Sequence, residues 1–531
     1  KLLGPLFLCK SNAVSGYTSA PWPVILFISG VPAMLLEEQL PRLQRLIKEK
    51  LGPLPKDVFR NETVMRTTFR QLYRRLPRVM SLAVGEEGFV EFCMRNHTRL
   101  LNVKDAVTEQ WQSSGKPPET LRTAAETETL AESARKRWVP TYAPKSMILD
   151  RGQGARVWDI EGNEYLDLGG GIAVSSLGHQ DPELLEALHL QAGKLWHTSN
   201  LYYTEPAIRL AEELTAHSFA DRVFFCNSGA EANEAAIKLA RKHSSKVHPP
   251  EQREILSFTG SFHGRTLATV TATAQPKYQE GYEPLPGGFR YCPFNDFDAA
   301  AEMIGPQTCA VLVEPIQGEG GVTPTDPGFL KHLRACCNKH GALLVFDEIQ
   351  CGMGRTGKLF AYQWEEDVTP DLLTIAKALG CGLPIGALLA TEAVASAFQA
   401  GDHGTTFGGN PITASVASVA FRRLRDPELH VHVLRQGEAI RNWLEELNLE
   451  LGIFREVRGR GLMLAGVLRE ELAGKAGELM EAARQAGVLI LIAGPDVLRF
   501  VPPLTLSDEE LQTGFDRLGP ALREWSRSAV S

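Results

Sequence analysis

Long hydrophobic runs are scarce in this 531-residue sequence. The one apolar stretch of note, residues 21–36, is interrupted by Pro21, Pro23, Gly30 and Pro32 and is too short to cross a bilayer comfortably. It lacks a strongly basic lead and a clear small-residue cleavage pattern, so it reads as a buried or disordered N-terminal segment and no membrane association is expected. Cysteine is sparse and unpatterned. The 9 cysteines are odd in number, none is spaced Cys-x-x-Cys, and Cys336 and Cys337 are adjacent. That argues against a disulfide framework and a cysteine zinc site, and fits a cytoplasmic setting. Positive charge is not in excess either. The net charge of −7 gives no attraction to nucleic acid or to an anionic membrane. Internal repeats and low-complexity tracts are missing. What remains is a chain of ordinary globular composition, long enough for roughly two to four domains.

Two regions differ in pattern. Up to about residue 105 the sequence reads as helical, with apolar residues at helical spacing in Leu36, Leu40, Leu43, Ile47 and Leu51, and again between Val64 and Leu76. The second of these segments carries Arg66, Arg70, Arg74, Arg75 and Arg78. That basic face is either solvated surface or a dock for an acidic protein partner. A polar stretch from Ser113 to Pro118, followed by a Thr/Glu/Ala segment to Ser133, has linker composition. From about Arg135, short apolar runs alternate with helical segments. Examples are Arg222–Cys226 before Glu231–Lys242, and Cys309–Val313 before Phe329–His340. This alternation predicts an α/β fold with a mostly parallel sheet and a ligand site at the carboxyl ends of its strands. Beyond Asp426 a long helix, short strands at Gly461–Val467 and Val497–Val501, and a final helix predict a smaller α+β domain.

Chemistry-bearing residues cluster at the ends of the apolar runs. Asp347 closes one and Lys377 another. A strand-end aspartate is commonly a cap or a metal ligand, but a lysine closing an apolar run is costly to bury without a function. Burial would lower its pKa, which suits covalent attachment to a carbonyl and proton transfer. Pyridoxal phosphate chemistry needs such a pair: a lysine for the aldehyde and a carboxylate for the ring nitrogen. Gln350 follows Asp347 and supplies an amide able to reach the ring hydroxyl oxygen. Asn227–Asn233, between a strand and a helix, is either a phosphate cradle at a helix N-terminus or an ordinary cap with a tight turn. No Gly-Lys-Ser/Thr follows, so it is not a P-loop. Ser261–Thr266 offers Phe262 to stack on a flat ring and Arg265 to clamp a carboxylate, or else a core phenylalanine and a surface arginine. His263 fits a supporting role better than that of a base. Glu314 and Glu319 could be an acid/base pair or metal ligands. Without nearby His or Cys, no metal is expected, and a structural role or a gate paired with an arginine fits better. His403–Pro411 is a loop whose Thr405 and Thr406 can donate to phosphate or substrate.

Taken together, these motifs resemble the class III (subgroup II) pyridoxal-phosphate aminotransferases of fold type I, and within them the acetylornithine aminotransferases. The resemblance runs from about Arg135 to Trp525 and rests on the segments 227–241, 261–266, 314–321, 346–357, 403–411 and 498–504, with Lys377. It implies that Lys377 is the catalytic lysine bonded to the cofactor, that Asp347 pairs with the ring nitrogen, and that Gln350 contacts the phenolic oxygen. It further implies that Ser228, Gly229 and Ala230 bind phosphate and that Phe262 stacks on the ring. Thr406 would reach the phosphate of a neighbouring subunit, giving a homodimer with shared active sites. Thr405 would lie beside the substrate, Arg265 would bind a substrate carboxylate, Arg499 the α-carboxylate of glutamate, and Glu319 would mask Arg499 when needed.

The implied reaction moves the terminal amine of an N-acylated diamino acid, N2-acetylornithine or similar, to 2-oxoglutarate. Ile172 stands where ornithine-specific members carry a tyrosine, and an apolar residue there suits an acylated α-amino group. Succinylornithine, ornithine, acetyl-lysine and 4-aminobutyrate remain alternative substrates, and non-transaminase chemistry on the same fold an alternative reaction. The implied organisation is a helical extension at 1–105, a linker at 106–134, an N-terminal aminotransferase segment at 135–180, a large cofactor-binding domain at 181–425 and a small C-terminal domain at 426–531. Family members typically begin near Lys136, so the first 130 or so residues depart from the pattern.

Overall fold

The computed structural model describes residues 121–529, together with Arg66, Thr67, Phe69, Arg70, Tyr73, Arg74 and the helix Glu86–Arg95. The apolar stretch 21–36 and the helix expected at Leu36–Leu51 lie outside the described residues. The chain divides into two units, residues 1–117 and 118–531.

In the first unit, Phe69, Phe89, Val90 and Cys93 are buried and form the apolar face of a helical pair. Tyr73 packs on Phe89 with ring centroids 5.6 Å apart. Two arginines of the basic face are paired within the unit. Arg66 Nη1 donates to Glu91 Oε1 at 2.7 Å, and Arg70 Nη2 pairs with Glu87 at 3.3 Å. Both are therefore committed within the unit, while Arg74 is exposed and Arg75 and Arg78 lie outside the described residues.

The second unit is built on a seven-stranded sheet in the order 222–226, 386–390, 372–375, 343–347, 308–313, 254–258, 289–292. Strand 386–390 alone runs against its neighbours, and the other pairings are parallel. The expected mostly parallel sheet is therefore present. Its central strands Thr308–Val313, Leu343–Asp347 and Leu372–Ile375 are buried along their whole length. This is why they read as continuous apolar runs rather than alternating ones. Each fully buried Val, Leu, Ile or Phe there contributes about 1.5–3 kcal/mol. The helix Gly229–Val247 buries an alanine-rich face, Ala232, Ala235, Ala236 and Ala240, against the sheet.

Two smaller sheets flank this core. One joins Leu149–Gln153, Arg156–Asp159 and Glu164–Asp167 to Val488–Leu489, so the start and end of the unit meet in one sheet. The other, in the order 454–460, 463–468, 497–500, 491–492, carries Arg499. The long helix Pro427–Leu451 and the final helix Asp508–Ala529 complete this α+β part. Arg355, 1% exposed, ties the parts together. It donates to the carbonyls of Leu462 (3.1 Å) and Pro502 and to Ser176 Oγ (3.0 Å). Burial pushes its guanidinium down to about 9.

Residues 124–137, largely inside the stretch with linker composition, form a helix. Thr123 and Glu126 make a reciprocal capping box: Glu126 N donates to Thr123 Oγ1 and Thr123 N to Glu126 Oε2.

Candidate active site

At the carboxyl edge of the large sheet a cavity of about 430 Å³ opens, with Asp347, Lys377, Gly229 and Phe262 among its walls. The sheet order explains the convergence. Asp347 ends strand 343–347, opposite Thr374 of the neighbouring strand, and Lys377 follows two residues after that strand ends. Asn227 and Ser228 follow strand 222–226, and the Phe262 loop follows strand 254–258.

Asp347 is held from three directions. Its Oδ2 accepts from Asn233 Nδ2 and from His263 Nδ1, both at 2.8 Å, and its Oδ1 accepts from Ile349 N at 3.1 Å. Asn233 is itself fixed, accepting from Thr374 Oγ1 at 2.8 Å and donating to the His263 carbonyl. His263 supports the carboxylate, and its Nε2 is buried without a partner. The carboxylate is thereby locked in one orientation, aimed along the cavity wall.

Lys377 occupies the left-handed region at φ 39, a conformation costing about 1–3 kcal/mol for a non-glycine residue. Its amine makes no hydrogen bond or ion pair among the described residues. Burial pushes it down to about 8, opposed by Glu319 and reinforced by Arg499. An amine with that pKa has a substantial neutral fraction near pH 7.5.

Ser228 caps the helix Gly229–Val247, its Oγ accepting from Glu231 N at 3.2 Å. The first-turn amides of Gly229 and Ala230 make no hydrogen bond among the described residues and border the cavity. A side chain at Gly229 would meet Ile349 at 2.7 Å, so the close approach of helix and loop requires glycine. Free amides plus the helix dipole form an anion seat.

Phe262 N donates to Glu314 Oε2 at 2.9 Å, and Gly318 N to Glu314 Oε1 at 3.2 Å. Burial, then the neighbouring charge of Asp347, raises the Glu314 carboxyl well above the usual range. Its structural role is to join the Phe262 loop to the turn that carries Glu319. Arg265 is exposed and makes no ion pair or hydrogen bond among the described residues. Its guanidinium lies 4.0 Å from the ring centre of Tyr278 and 5.4 Å from that of Phe262. Arg499 differs: it is 2% exposed, with Nη1 donating to Glu319 Oε1 at 2.6 Å. Burial pushes Glu319 up, but the Arg499 charge and hydrogen bond outweigh it and hold the carboxyl below its ordinary value.

Gln350, Thr406 and Ile172 take three different places. Gln350 lines the cavity, and its amide is engaged by the Glu319–Arg499 pair: Nε2 donates to Glu319 at 3.4 Å and Oε1 accepts from Arg499 at 3.2 Å. Thr406 is exposed in a separate hollow of about 130 Å³ beside Thr198 and Tyr202. Ile172 is 44% exposed, at φ 62, and is not among the cavity walls. Thr405 is tied to the cavity rim, its Oγ1 accepting from Asn227 Nδ2 at 3.1 Å. Asn233 and Tyr278 were not singled out by the sequence. Asn233 sits inside the quoted Asn227–Asn233 motif, which offered a signal, whereas nothing local distinguished Tyr278.

Comparison with known proteins agrees with this geometry. The sequence profile of the family described as "Aminotransferase class-III" matches residues 139–522. The acetylornithine aminotransferase of Xanthomonas axonopodis pv. citri (strain 306) is 61% identical over 391 residues, 73% of this chain and 96% of that protein. That of Neisseria meningitidis serogroup B is 52% identical over 390 residues, 73% and 98% of the two chains. Among solved structures, N-acetylornithine aminotransferase from Stenotrophomonas maltophilia K279a superposes with a TM-score of 0.66 at 49% identity, covering 75% of this chain and 99% of that one. Ornithine aminotransferase from Toxoplasma gondii ME49 superposes with a TM-score of 0.73 at 32% identity, covering 79% and 99%. The chain belongs to the class III aminotransferases and has their fold-type-I α/β architecture.

Proposed function

We propose that this aminotransferase uses pyridoxal phosphate to move the terminal amine of N2-acetylornithine to 2-oxoglutarate. The observation that carries the reading is one cavity joining a lysine amine near pH 8 to a locked aspartate, with one open arginine and one masked arginine beside it. The acetylornithine activity named for relatives at 52–61% identity supports the substrate. The residues fit the cofactor. Unpaired amides of Gly229 and Ala230, with Ser228, suit its phosphate; Asp347 suits its ring nitrogen; Phe262 suits its flat face. When bound, pyridoxal phosphate supplies an aldehyde that takes up an amino group and a protonated ring that stores an electron pair.

The chain's own residues do the rest. Asp347, oriented by His263 and Asn233, holds the proton on the ring nitrogen. Lys377 would hold the cofactor through its aldehyde carbon at rest; once displaced, its free amine would take a proton from the amine-bearing carbon of the substrate and deliver it to that cofactor carbon. Arg265 receives a carboxylate through paired N–H groups. Arg499 stays covered by Glu319 while a diamino acid is bound, and receives the α-carboxylate of glutamate when Glu319 moves aside. Ile172, apolar, offers nothing to a free α-ammonium, which favours the acylated substrate over ornithine.

A homodimer belongs to this reading. Thr406, remote from its own chain's cavity, would serve the phosphate of a second copy. Trp196, Tyr202, Tyr203 and Phe407, exposed near it, supply an apolar face for that contact. The setting is proposed to be the cytoplasm. No described helix is long and apolar enough to cross a membrane, and the eight described cysteines are free.

Borohydride reduction of the loaded protein, followed by peptide mass spectrometry, tests the reading. The tag is expected on Lys377. Lys377→Ala should lose the tag and the yellow colour, with turnover down by about 10² to 10⁴ or more. Turnover by Lys377→Ala at the wild-type rate would overturn the assignment.

A further inference from the structure

Arg265 needs explaining. An exposed guanidinium on a loop has many rotamers, and ordering it costs about 2 kcal/mol of side-chain entropy. Yet nothing acidic holds this one. What holds it is a ring: Tyr278, 4.0 Å below the guanidinium carbon, with Phe262 at 5.4 Å. The two rings meet edge to face, 5.8 Å apart at 84°. Lys277 Nζ also lies 4.7 Å from the Tyr278 ring centre.

The Tyr278 ring is itself anchored. It ends a short turn, Pro276–Tyr278, flanked by two glutamines. Gln275 Nε2 donates to the carbonyls of Gly260 (3.1 Å) and Ser261 (2.9 Å), on the loop that carries Phe262 and Arg265. Gln279 Nε2 donates to the carbonyls of Val270, Thr271 and Thr273, on the segment that follows that loop. The turn is therefore tied to the arginine loop and the segment after it by glutamine-to-backbone hydrogen bonds on both sides of Tyr278.

The mode of restraint matters chemically. A carboxylate partner would occupy the in-plane N–H groups, as Glu319 does for Arg499. An aromatic face takes the guanidinium by its flat side and leaves the in-plane donors free. We propose that Tyr278 is a positioning residue that presents Arg265, pre-ordered and uncommitted, to the distal carboxylate of the dicarboxylate co-substrate. Tyr278 thereby sets the preference for a five-carbon dicarboxylic oxo acid over a monocarboxylic one. The inference rests on the carboxylate-binding role of Arg265 given above.

The test compares Tyr278→Leu, Tyr278→Phe and Arg265→Ala in the loaded full-length enzyme, with 2-oxoglutarate and with pyruvate. Tyr278→Leu is expected to raise KM for 2-oxoglutarate about 2- to 5-fold with kcat unchanged, since a ring contact at an exposed site is worth roughly 0.5–1 kcal/mol. Pyruvate constants should not change, and Tyr278→Phe, which keeps the ring face, should behave as wild type. Isothermal titration with glutarate should show the same loss of affinity without turnover. Tyr278→Gln serves as a second ringless variant should the leucine protein fail to fold. The double variant with Arg265→Ala should be no worse than Arg265→Ala alone. An unchanged KM in the ringless variants, an equal loss in Tyr278→Phe, or an equal loss for pyruvate would overturn the proposal. If Arg265→Ala itself leaves KM for 2-oxoglutarate unchanged, the role of Arg265 fails first. If Arg265→Ala raises KM and the ringless variants do not, only the role of Tyr278 fails.

Discussion

Arg265 comes to the site from a loop of the large sheet and Arg499 from a strand of the small C-terminal sheet, and the two are held by opposite means. Arg265 lies on aromatic faces, exposed, with its donors unused. Arg499 is buried, and a carboxylate, an amide and two backbone carbonyls occupy its Nη donors. The first is open to any carboxylate that enters. The second can be reached only when a charge-assisted pair separates, which makes it conditional. On the proposed reading, the first is a permanent anion site and the second a gated one. That is what an enzyme needs if it alternates between a substrate with one carboxylate to seat and a substrate with two.

The largest effect that would break this comparison is expected from Arg499→Ala. Removing the guanidinium leaves Glu319 charged, largely enclosed and close to Lys377. Breaking such a pair from one side costs about 3–5 kcal/mol. Turnover with glutamate should fall by more than about 100-fold, and thermal unfolding of the cofactor-free protein should move down. Wild-type stability and glutamate turnover in this variant would mean that the pair is neither structural nor a gate.

Arg265→Gln should act more narrowly. The residue is exposed and unpaired, so stability should stay within about 0.5 kcal/mol of wild type. KM for 2-oxoglutarate should rise roughly 10- to 100-fold, the worth of a lost bidentate charge-assisted pair at about 1.5–3 kcal/mol. A large stability loss would show that Arg265 is structural, which would make the two arginines alike rather than opposed.

Much of this arrangement was legible in the sequence, and the illegible parts share a cause. Asp347 and Lys377 stood out because a fully buried parallel strand must be apolar throughout, so an ionisable group at its end is conspicuous. The phenylalanine-arginine loop was visible for the same reason, following the buried strand 254–258, whereas Ser228–Ala230, after a half-buried edge strand paired antiparallel, was visible through its small and capping residues. Asn233 was not, because its partners His263, Asp347 and Thr374 are 30 to 141 residues away and a helix interior rich in alanine gives no hint of them. Tyr278 was missed likewise: a Pro-Lys-Tyr turn reads as surface, and only folding lays it under Arg265. Gln350 lines the cavity as expected of a residue near the cofactor, and its bonds to Glu319 and Arg499 could not be read from the sequence because those residues lie 31 and 149 positions away. The helix 124–137 is a different case. Its Thr-x-x-Glu start was present in the sequence at Thr123 and Glu126, but polar composition suggested a linker.

Glu319→Gln is the mildest change and the sharpest probe of the gate, because it keeps the shape and removes the charge. Arg499 then loses an ionic partner but keeps a neutral hydrogen-bonding one, so the mask weakens without vanishing. KM for glutamate should fall by about tenfold or less, and discrimination in favour of the acylated diamino acid should fall with it. A second readout comes from Lys377. Its amine sits at about 8, with burial the main cause and Glu319 the first group opposing it. Because the folded value lies below the unfolded one near 10.4, the unfolded chain binds more protons in between. The penalty for this amine is therefore fully present below about pH 8 and is relieved as pH rises toward the unfolded value. Removing the Glu319 charge takes away support for the protonated amine, so its titration should move further down and the window should widen on its acid side. The rate at which an amine reagent labels Lys377 in the cofactor-free protein, followed against pH, measures this directly. An inflection below that of wild type supports a gate whose charge reaches the lysine. An inflection unchanged or shifted upward would separate the two, leaving Glu319 a partner of Arg499 alone.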